Sequence, residues 1–278
     1  MKELYDSVSF KCSELTTKSY STSFSFGIKA LDKKLHAPIY NIYGFVRFAD
    51  EIVDTFHGFD KERLLSKFKE DTYQAIEDKI SLNPILNSFQ EVVNRYNIDL
   101  ELVETFLNSM EMDLKPEFYD KDKYDLYILG SAQVVGLMCL KVFVSGNSAL
   151  YNELKTYAMS LGSAFQKINF LRDIKADYMS LGRTYFPDVD MNNFNAEDKA
   201  IIELDIQKDF EHALVGIKKL PVKSRTGVYL AYIYYFKLFK KIRSIASNKL
   251  LNHRIRITNV RKVFLIVSTL VKSKLRLL

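Results

Sequence analysis

Arg47-Phe-Ala-Asp-Glu-Ile-Val-Asp54 and Asn169-Phe-Leu-Arg-Asp-Ile-Lys-Ala-Asp177 each hold two aspartates four residues apart inside apolar text. At that spacing Asp50 and Asp54 project from one face of a helix, and so do Asp173 and Asp177. Like charges so placed repel by roughly a few tenths of a kcal/mol on an exposed helix, and by more where water is excluded. A pattern used twice asks for a compensating cation. Divalent magnesium suits it, with Mn²⁺ a possible substitute, because Mg²⁺ takes hard oxygen ligands, few protein carboxylates per ion, and fills its other positions with water and phosphate oxygens. Two acidic faces opposed across a helical bundle would hold a diphosphate through such ions.

The neighbouring residues extend both stripes. Tyr43, Arg47, Asp50 and Asp54 follow one another at steps of four, three and four, so a phenol, a cation and two carboxylates share a face. Asn169, Asp173 and Asp177 fall at i, i+4 and i+8, with Gln166 one turn earlier, which lines three oxygen ligands along about two turns. A lone pair of this kind is most often a surface face matched by Arg or Lys. Two pairs, each beside an arginine (Arg47 and Arg172), favour a metal site. Ser21-Thr-Ser-Phe-Ser25, with Ser23 at its centre and Tyr20 before it, offers hydroxyls either for phosphate oxygens or for capping a helix. Tyr127 opens a segment with small residues at 130, 131, 132 and 136, which thins a helix face for a bulky ligand or for close helix packing. The four histidines are scattered, and neither Asp54-Thr-Phe-His57 nor Asp209-Phe-Glu-His212 is a Glu-x-x-His motif, so a di-iron bundle needing two such motifs is disfavoured.

Composition bounds the rest. A chain of 278 residues, 47% hydrophobic and 27% charged, is ordinary globular material, and ten Gly with five Pro are few for an all-β protein. We therefore expect an all-α fold in a single domain over 1–278, built of roughly ten helices with short breaks such as Gly58-Phe-Asp60, Leu82-Asn-Pro84 and Leu220-Pro221. Asp99 and Asn147 or Ser148 are expected N-caps, and Gly182 to Phe194 is the longest expected loop, directly after the second aspartate pair. Cys12 and Cys139 stand far apart, giving neither a disulfide framework nor a zinc site, and a reduced cytoplasmic compartment fits. The N-terminus lacks the apolar stretch of a signal peptide, and the apolar run Val263–Val271 falls short of the ~20 residues a bilayer span needs, so no membrane crossing is expected. Seventeen Tyr and twenty Phe supply rings for a core, and some of them for an apolar cavity able to hold a carbocation against their π faces.

Charge is polarised. Residues 212–278 carry 16 Lys or Arg and no acid, which leaves 24 basic against 34 acidic groups in residues 1–211. A basic segment of this kind attracts nucleic acid, anionic lipid or phosphorylated substrate. No groove-reading or base-stacking element accompanies it, which excludes nucleic acid as the expected partner.

At these residues the chain resembles the squalene/phytoene synthase family, from about Lys18 to Pro187. The resemblance rests on Ser21-Thr-Ser-Phe-Ser25, on Tyr43-x-x-x-Arg47-x-x-Asp50-x-x-x-Asp54, on the small-residue helix ending Val-Val-Gly136, and on Gln166-Lys-Ile-Asn169-x-x-Arg172-Asp-x-x-x-Asp177 followed by Gly182-Arg-Thr-Tyr-Phe-Pro187. It departs where many members have Tyr-x-Tyr and this chain has Tyr127 and Leu129, and where Ala-Gly-Thr-Val-Gly reads Ala132-Gln-Val-Val-Gly136. The resemblance implies an all-α isoprenoid synthase bundle around a central cavity and head-to-head (1′-1) condensation of two prenyl diphosphates. By the same resemblance Asp50, Asp54, Asn169, Asp173 and Asp177 hold Mg²⁺, Arg47 and Arg172 steady the departing phosphates, and Ser21, Ser23, Tyr43, Tyr127 and Gln166 bind substrate. The wording is similar to that of bacterial phytoene synthases of carotenoid pathways, which implies geranylgeranyl diphosphate as substrate, phytoene as product and no NADPH. The alternatives are a squalene or dehydrosqualene synthase using farnesyl diphosphate, and a non-catalytic relative serving as an assembly or binding protein. The basic segment from about residue 212 is expected to bring the protein to anionic membrane surfaces as a peripheral, cytoplasmic protein.

Overall fold

The computed structural model describes residues 1–114, 119–181, 186, 187, 189, 194–250, 255 and 269, with the backbone alone at 175–181 and 248. The expected loop after the second aspartate pair, and the basic segment beyond Leu250, lie largely outside that range. Among the described residues the fold is all-α, without strands. In chain order the helices are α1 (Lys2–Tyr20), α2 (Thr22–Lys29), α3 (Lys33–Asp54), α4 (Lys61–Asp78), α5 (Pro84–Tyr96), α6 (Leu100–Met112), α7 (Lys121–Ile128), α8 (Val134–Phe143), α9 (Ser148–Leu181), α10 (Ala196–Lys219), α11 (Val222–Arg243) and α12 (Ser247–Leu250). A π turn over Leu129–Gln133 joins α7 to α8.

Local chemistry sets the boundaries. Pro84 stands at the start of α5, where its missing N–H costs nothing, and Asn83 Oδ1 accepts from Ile85 N at 3.0 Å. Asn147 begins α9 in the same way, accepting from Leu150 N at 3.0 Å. Asp99 occupies the N-cap position of α6 without a capping bond, because its carboxylate pairs with Lys141 of α8 at 3.0 Å.

Two apolar clusters follow from these faces. One gathers around Phe45 of α3, which stacks on Phe89 with ring centroids 3.8 Å apart and tilts against Phe106 at 5.3 Å, all three fully buried. The other joins α9, α10 and α11 through Ile168, Phe210 and Phe239. Lys167 of α9 is buried beside it and donates to Asp205 at 2.5 Å and Asp209 at 2.7 Å on α10, so the buried charge is paired.

The stretch Lys121–Phe143 is long and apolar enough, by length and composition, to cross a membrane. Leu137, Met138 and Leu140 in it are core, while Ser131, Ala132, Val135, Gly136 and Phe143 line a cavity, so a packed position accounts for its apolarity. Close packing and a thinned wall, the two readings of its small residues, are both realised. Gly130 sits where a Cβ would come within 2.7 Å of Thr105 O, and Gly136 lines the cavity.

Gly162 of α9 makes the tightest backbone approach to this stretch, since a Cβ there would lie 2.6 Å from Ala132 O. Replacing an exposed helical glycine by alanine gains about 1 kcal/mol of helix propensity. Here a rigid carbonyl must move, at a cost of roughly 1–3 kcal/mol, and the clash wins. Gly162→Ala is therefore expected to lower the urea midpoint at unchanged m-value, and a raised midpoint would refute this reading.

Candidate active site

A cavity of about 290 Å³ lies between α2, α3, α8, α9, α10 and α11. Along α9 its lining passes from Leu154 through Ala158, Gly162 and Phe165 to Gln166 and Asn169, about 22 Å of wall at the helical rise. Along α3 it passes from Ile39 through Tyr43 to Val46. The wall is apolar at the Leu154 end and becomes polar where Tyr43, Gln166, Asn169 and Tyr235 meet.

The two aspartate motifs continue both helices beyond that polar end. Tyr43 feels the charges of Arg47 and Asp50 and also the ionisation of Tyr235, and Tyr235 in turn feels Arg172 and Asp173. The chain of mutual influence joins the α3 stripe to the α9 stripe through the two phenols. Burial pushes the Tyr43 hydroxyl up to about 12, and it raises Tyr235 as well. Tyr235 donates to Asn169 Oδ1 at 3.4 Å and stacks on Phe165 with centroids 3.9 Å apart. Tyr43 stacks on Phe24 at 5.1 Å.

Asp50 is the most perturbed carboxyl described on the α3 stripe. Desolvation first, then the nearby charge of Asp54, and last that of Asp113 raise it to about 8 against the partial relief of Arg47. Arg47 stands 3.9 Å from Asp50, and its guanidinium also pairs with Glu51 and lies over the Tyr20 ring at 4.3 Å. Asp54 is exposed at the end of the helix. On α9, Arg172 grips Asp173, with Nη2 to Oδ2 at 2.5 Å and Nε within 3.2 Å of both oxygens. Thus Arg172, expected on the departing phosphates, holds a carboxylate in this structure. The backbone of Asp177 continues α9, and its side chain lies outside the described range.

The remaining expected residues have defined places. Ser21 caps α2, accepting from Phe24 N at 3.2 Å, and also bonds the Tyr43 side chain. Both readings of the serine row thus meet at Ser21, which caps and faces the polar end. Ser23 is half-buried on the first turn of α2. Tyr127 is buried off the cavity wall and donates to Asp113 Oδ2 at 2.8 Å. Glu51, Asp113 and Tyr235 escaped sequence reasoning. Glu51 shares its helix with the motif, and Tyr235 sits in a run of rings at 229, 232, 234, 235 and 236 that marks α11 as a cavity wall.

The donor set fits Mg²⁺. Asp50, Asn169 and Asp173 offer hard oxygens on the two stripes that continue from the polar end, and Asp50, pushed up to about 8 by desolvation first and by the charge of Asp54 second, carries a repulsion that a cation would relieve. Among the described residues no three His, Cys, Asp or Glu converge as a ready cage. Mg²⁺ does not need one, since one or two carboxylates with water and phosphate oxygens complete its shell.

The squalene/phytoene synthase family pattern matches residues 17–214. The 4,4'-diapophytoene synthase of Staphylococcus haemolyticus (strain JCSC1435) is 28% identical over 198 residues, covering 69% of this chain and 67% of that protein. The chloroplastic phytoene synthase 1 of Arabidopsis thaliana is 24% identical over 295 residues, covering 99% and 68%. Against phytoene synthase 1 of Solanum lycopersicum the match spans only 62% of that protein's length. Among solved structures, a dehydrosqualene synthase in complex with ligand superposes with a TM-score of 0.83 at 20% identity over 98% of both chains. Squalene synthase HpnC from Alicyclobacillus acidocaldarius gives 0.74 at 20% identity, over 88% of this chain and 95% of that one. These two likenesses bear on the fold alone.

Proposed function

Because the chain belongs to the squalene/phytoene synthase family, whose members are prenyltransferase-type enzymes, we propose that it joins two geranylgeranyl diphosphates head to head and releases phytoene. The observation that carries this reading is the apolar cavity whose one polar end lies where both aspartate stripes arrive. Asp50, Asp54, Asn169, Asp173 and Asp177 would hold Mg²⁺, which when bound neutralises the leaving diphosphate. In the first half the C1–O bond of one substrate breaks with its electron pair leaving on the diphosphate. The double bond of the second substrate then attacks the allylic cation, and loss of a proton closes a cyclopropane. In the second half the remaining diphosphate leaves, the ring rearranges, and loss of a further proton gives the neutral hydrocarbon.

The chain's own contributions are steric and electrostatic. Phe24, Tyr43, Phe165 and Tyr235 line the cavity, and a π face turned to a desolvated cation is worth about 1–2 kcal/mol. The apolar wall keeps water from capturing that cation. Phytoene synthases stand among the relatives, and some 22 Å of wall along α9 suits a laid-out C20 chain. The rival reading, a C15 substrate, draws on the 4,4'-diapophytoene synthase relative. Incubation with C15 and C20 diphosphates, with and without Mg²⁺ and NADPH, separates them. A C40 hydrocarbon from C20 diphosphate and Mg²⁺ alone is expected, and a C30 product made in preference from C15 diphosphate would overturn the C20 assignment.

We extend the proposal to location. Lys218, Lys219, Lys223, Lys237, Lys240, Arg243 and Lys249 are exposed in a segment free of acids, and each such charge near an anionic surface contributes about 1 kcal/mol. In flotation assays the protein should follow phosphatidylserine-containing vesicles and be released by salt. Equal recovery on neutral vesicles would count against peripheral attachment through charge.

A further inference from the structure

The exposed bases of α10 and α11 fall into two groups at opposite ends of the cavity. Lys237, Lys240 and Arg243 follow Tyr235, the phenol that meets Asn169, so they belong to the aspartate end. Lys218, Lys219 and Lys223 flank the turn between the two helices, at the Leu154 end. There Lys219 pairs with Glu153 of α9 at 2.8 Å, and the backbone N–H of Asp32 donates to Lys223 O at 2.9 Å. The second contact brings Lys33 and Lys34, both exposed at the start of α3, beside that turn. Of the neighbouring acids, Glu153 is taken by Lys219, and Asp32 caps α3, accepting from Lys34 N at 3.0 Å. Val222 stands 75% exposed among these lysines. Leu31 and Leu220, next to the same contacts, are buried and line the cavity. The two turns thus face the cavity with leucines and the solvent with lysines and a valine.

We propose that this end of the bundle is the face that rests on an anionic membrane, with Val222 entering the lipid among Lys33, Lys34, Lys218, Lys219 and Lys223. The prenyl chains in the cavity then point at the bilayer, and the aspartate stripes stay in water. The inference rests on the proposed substrates and on the attachment through charge set out above, and adds which face makes the contact. Lys223 and Arg243 are twenty residues apart on α11, about 30 Å at the helical rise, against the ~8 Å over which exposed charges act in physiological salt. A bilayer against one end therefore meets one group only. Charge selects the Leu154 end, because the other end carries both aspartate stripes, which an anionic surface repels. The apolar contents of the cavity select the same end.

The chain has no tryptophan. Val222→Trp, and at the aspartate end Phe59→Trp, whose ring is 72% exposed shortly after α3, therefore each give the full-length protein a single reporter. On vesicles of phosphatidylserine and phosphatidylcholine the emission of Val222→Trp should shift to the blue and be quenched about twofold or more by nitroxide-labelled lipid, and that of Phe59→Trp should do neither. In flotation Lys33→Gln/Lys34→Gln/Lys223→Gln should bind about 100-fold more weakly, with turnover of detergent-dispersed substrate unchanged, and Lys237→Gln/Lys240→Gln/Arg243→Gln should stay within about threefold of wild type. Quenching of Phe59→Trp alone, or of both reporters equally as for a bilayer lying along α11, would overturn the inference and leave attachment through charge standing. An unquenched Val222→Trp protein that still floats with the vesicles would do the same. Wild-type protein that ignores anionic vesicles would overturn attachment and this inference together. The predicted quenching without turnover of either prenyl diphosphate would remove the substrate reading and leave the membrane face assigned.

Discussion

Asp50→Asn and Asp173→Asn proteins are expected to turn over on the order of 10²–10³-fold more slowly than the parent, while the Asp50 variant melts no lower and, in metal-free buffer, higher. The two effects have one cause. Asp50 is half-buried and feels the charges of Asp54 and Asp113, and its carboxyl is pushed up to about 8, against an ordinary value near 4 in the unfolded chain. A folded state that binds a proton more tightly than the unfolded state loses stability as pH rises between those two values. The burden is absent at acid pH, grows from about pH 4, and is complete above the folded value of about 8. Asparagine carries no such burden, so the melting-temperature advantage of Asp50→Asn should widen from pH 5 to pH 8 and then level off. Calorimetry at pH 5, 7 and 9 without Mg²⁺ checks the sign. An advantage that shrank with pH would mean that Asp50 is stabilised in its ionised form. Near-normal turnover by both variants at saturating Mg²⁺ would remove the metal hypothesis itself.

The second large effect concerns chain length. Ala158 lines the cavity eleven residues before Asn169 on α9, about 16 Å from the polar end at the helical rise. A phenyl ring there would block the passage towards Leu154. In Ala158→Phe, kcat/KM for C20 diphosphate should fall on the order of 100-fold, with a much smaller loss for C15 diphosphate. Product ratios from mixed substrates provide the measurement. Parallel losses for both substrates would show that the prenyl chain does not run along this wall.

Elements with local chemistry were legible in the linear text. The aspartate stripes lie on α3 and α9 because four-residue spacing in apolar surroundings has only one helical meaning, and Asn83-Pro84 and Asn147 start helices through bonds to residues within a turn. Ser21 showed the limit of such reading, since its hydroxyl both caps α2 and reaches Tyr43 of the next helix. What could not be read depends on contacts between distant segments. Asp113 is 63 positions from Asp50, and its position in the sequence shows an ordinary helix end. The Arg172–Asp173 pairing was equally hidden, because side-chain direction on α9 is set by what α11 brings opposite it. The Lys121–Phe143 stretch shows the converse, since composition alone fits a bilayer and only packing reveals a cavity wall.

The π turn at Leu129–Gln133 gives the helical run from Lys121 to Phe143 one residue more than a regular hydrogen-bond ladder requires. A segment with a surplus residue can shed it in a single codon deletion and remain helical. The deletion would turn every residue upstream by about 100° relative to those downstream, swinging Tyr127 away from Asp113 while Val135 and Gly136 kept their places. The reverse event, one inserted codon in an uninterrupted ancestral helix, is then a sufficient genetic step for bringing that phenol to its carboxylate. Length variation at this point, more than substitution, is where a lineage could gain or lose the arrangement at once.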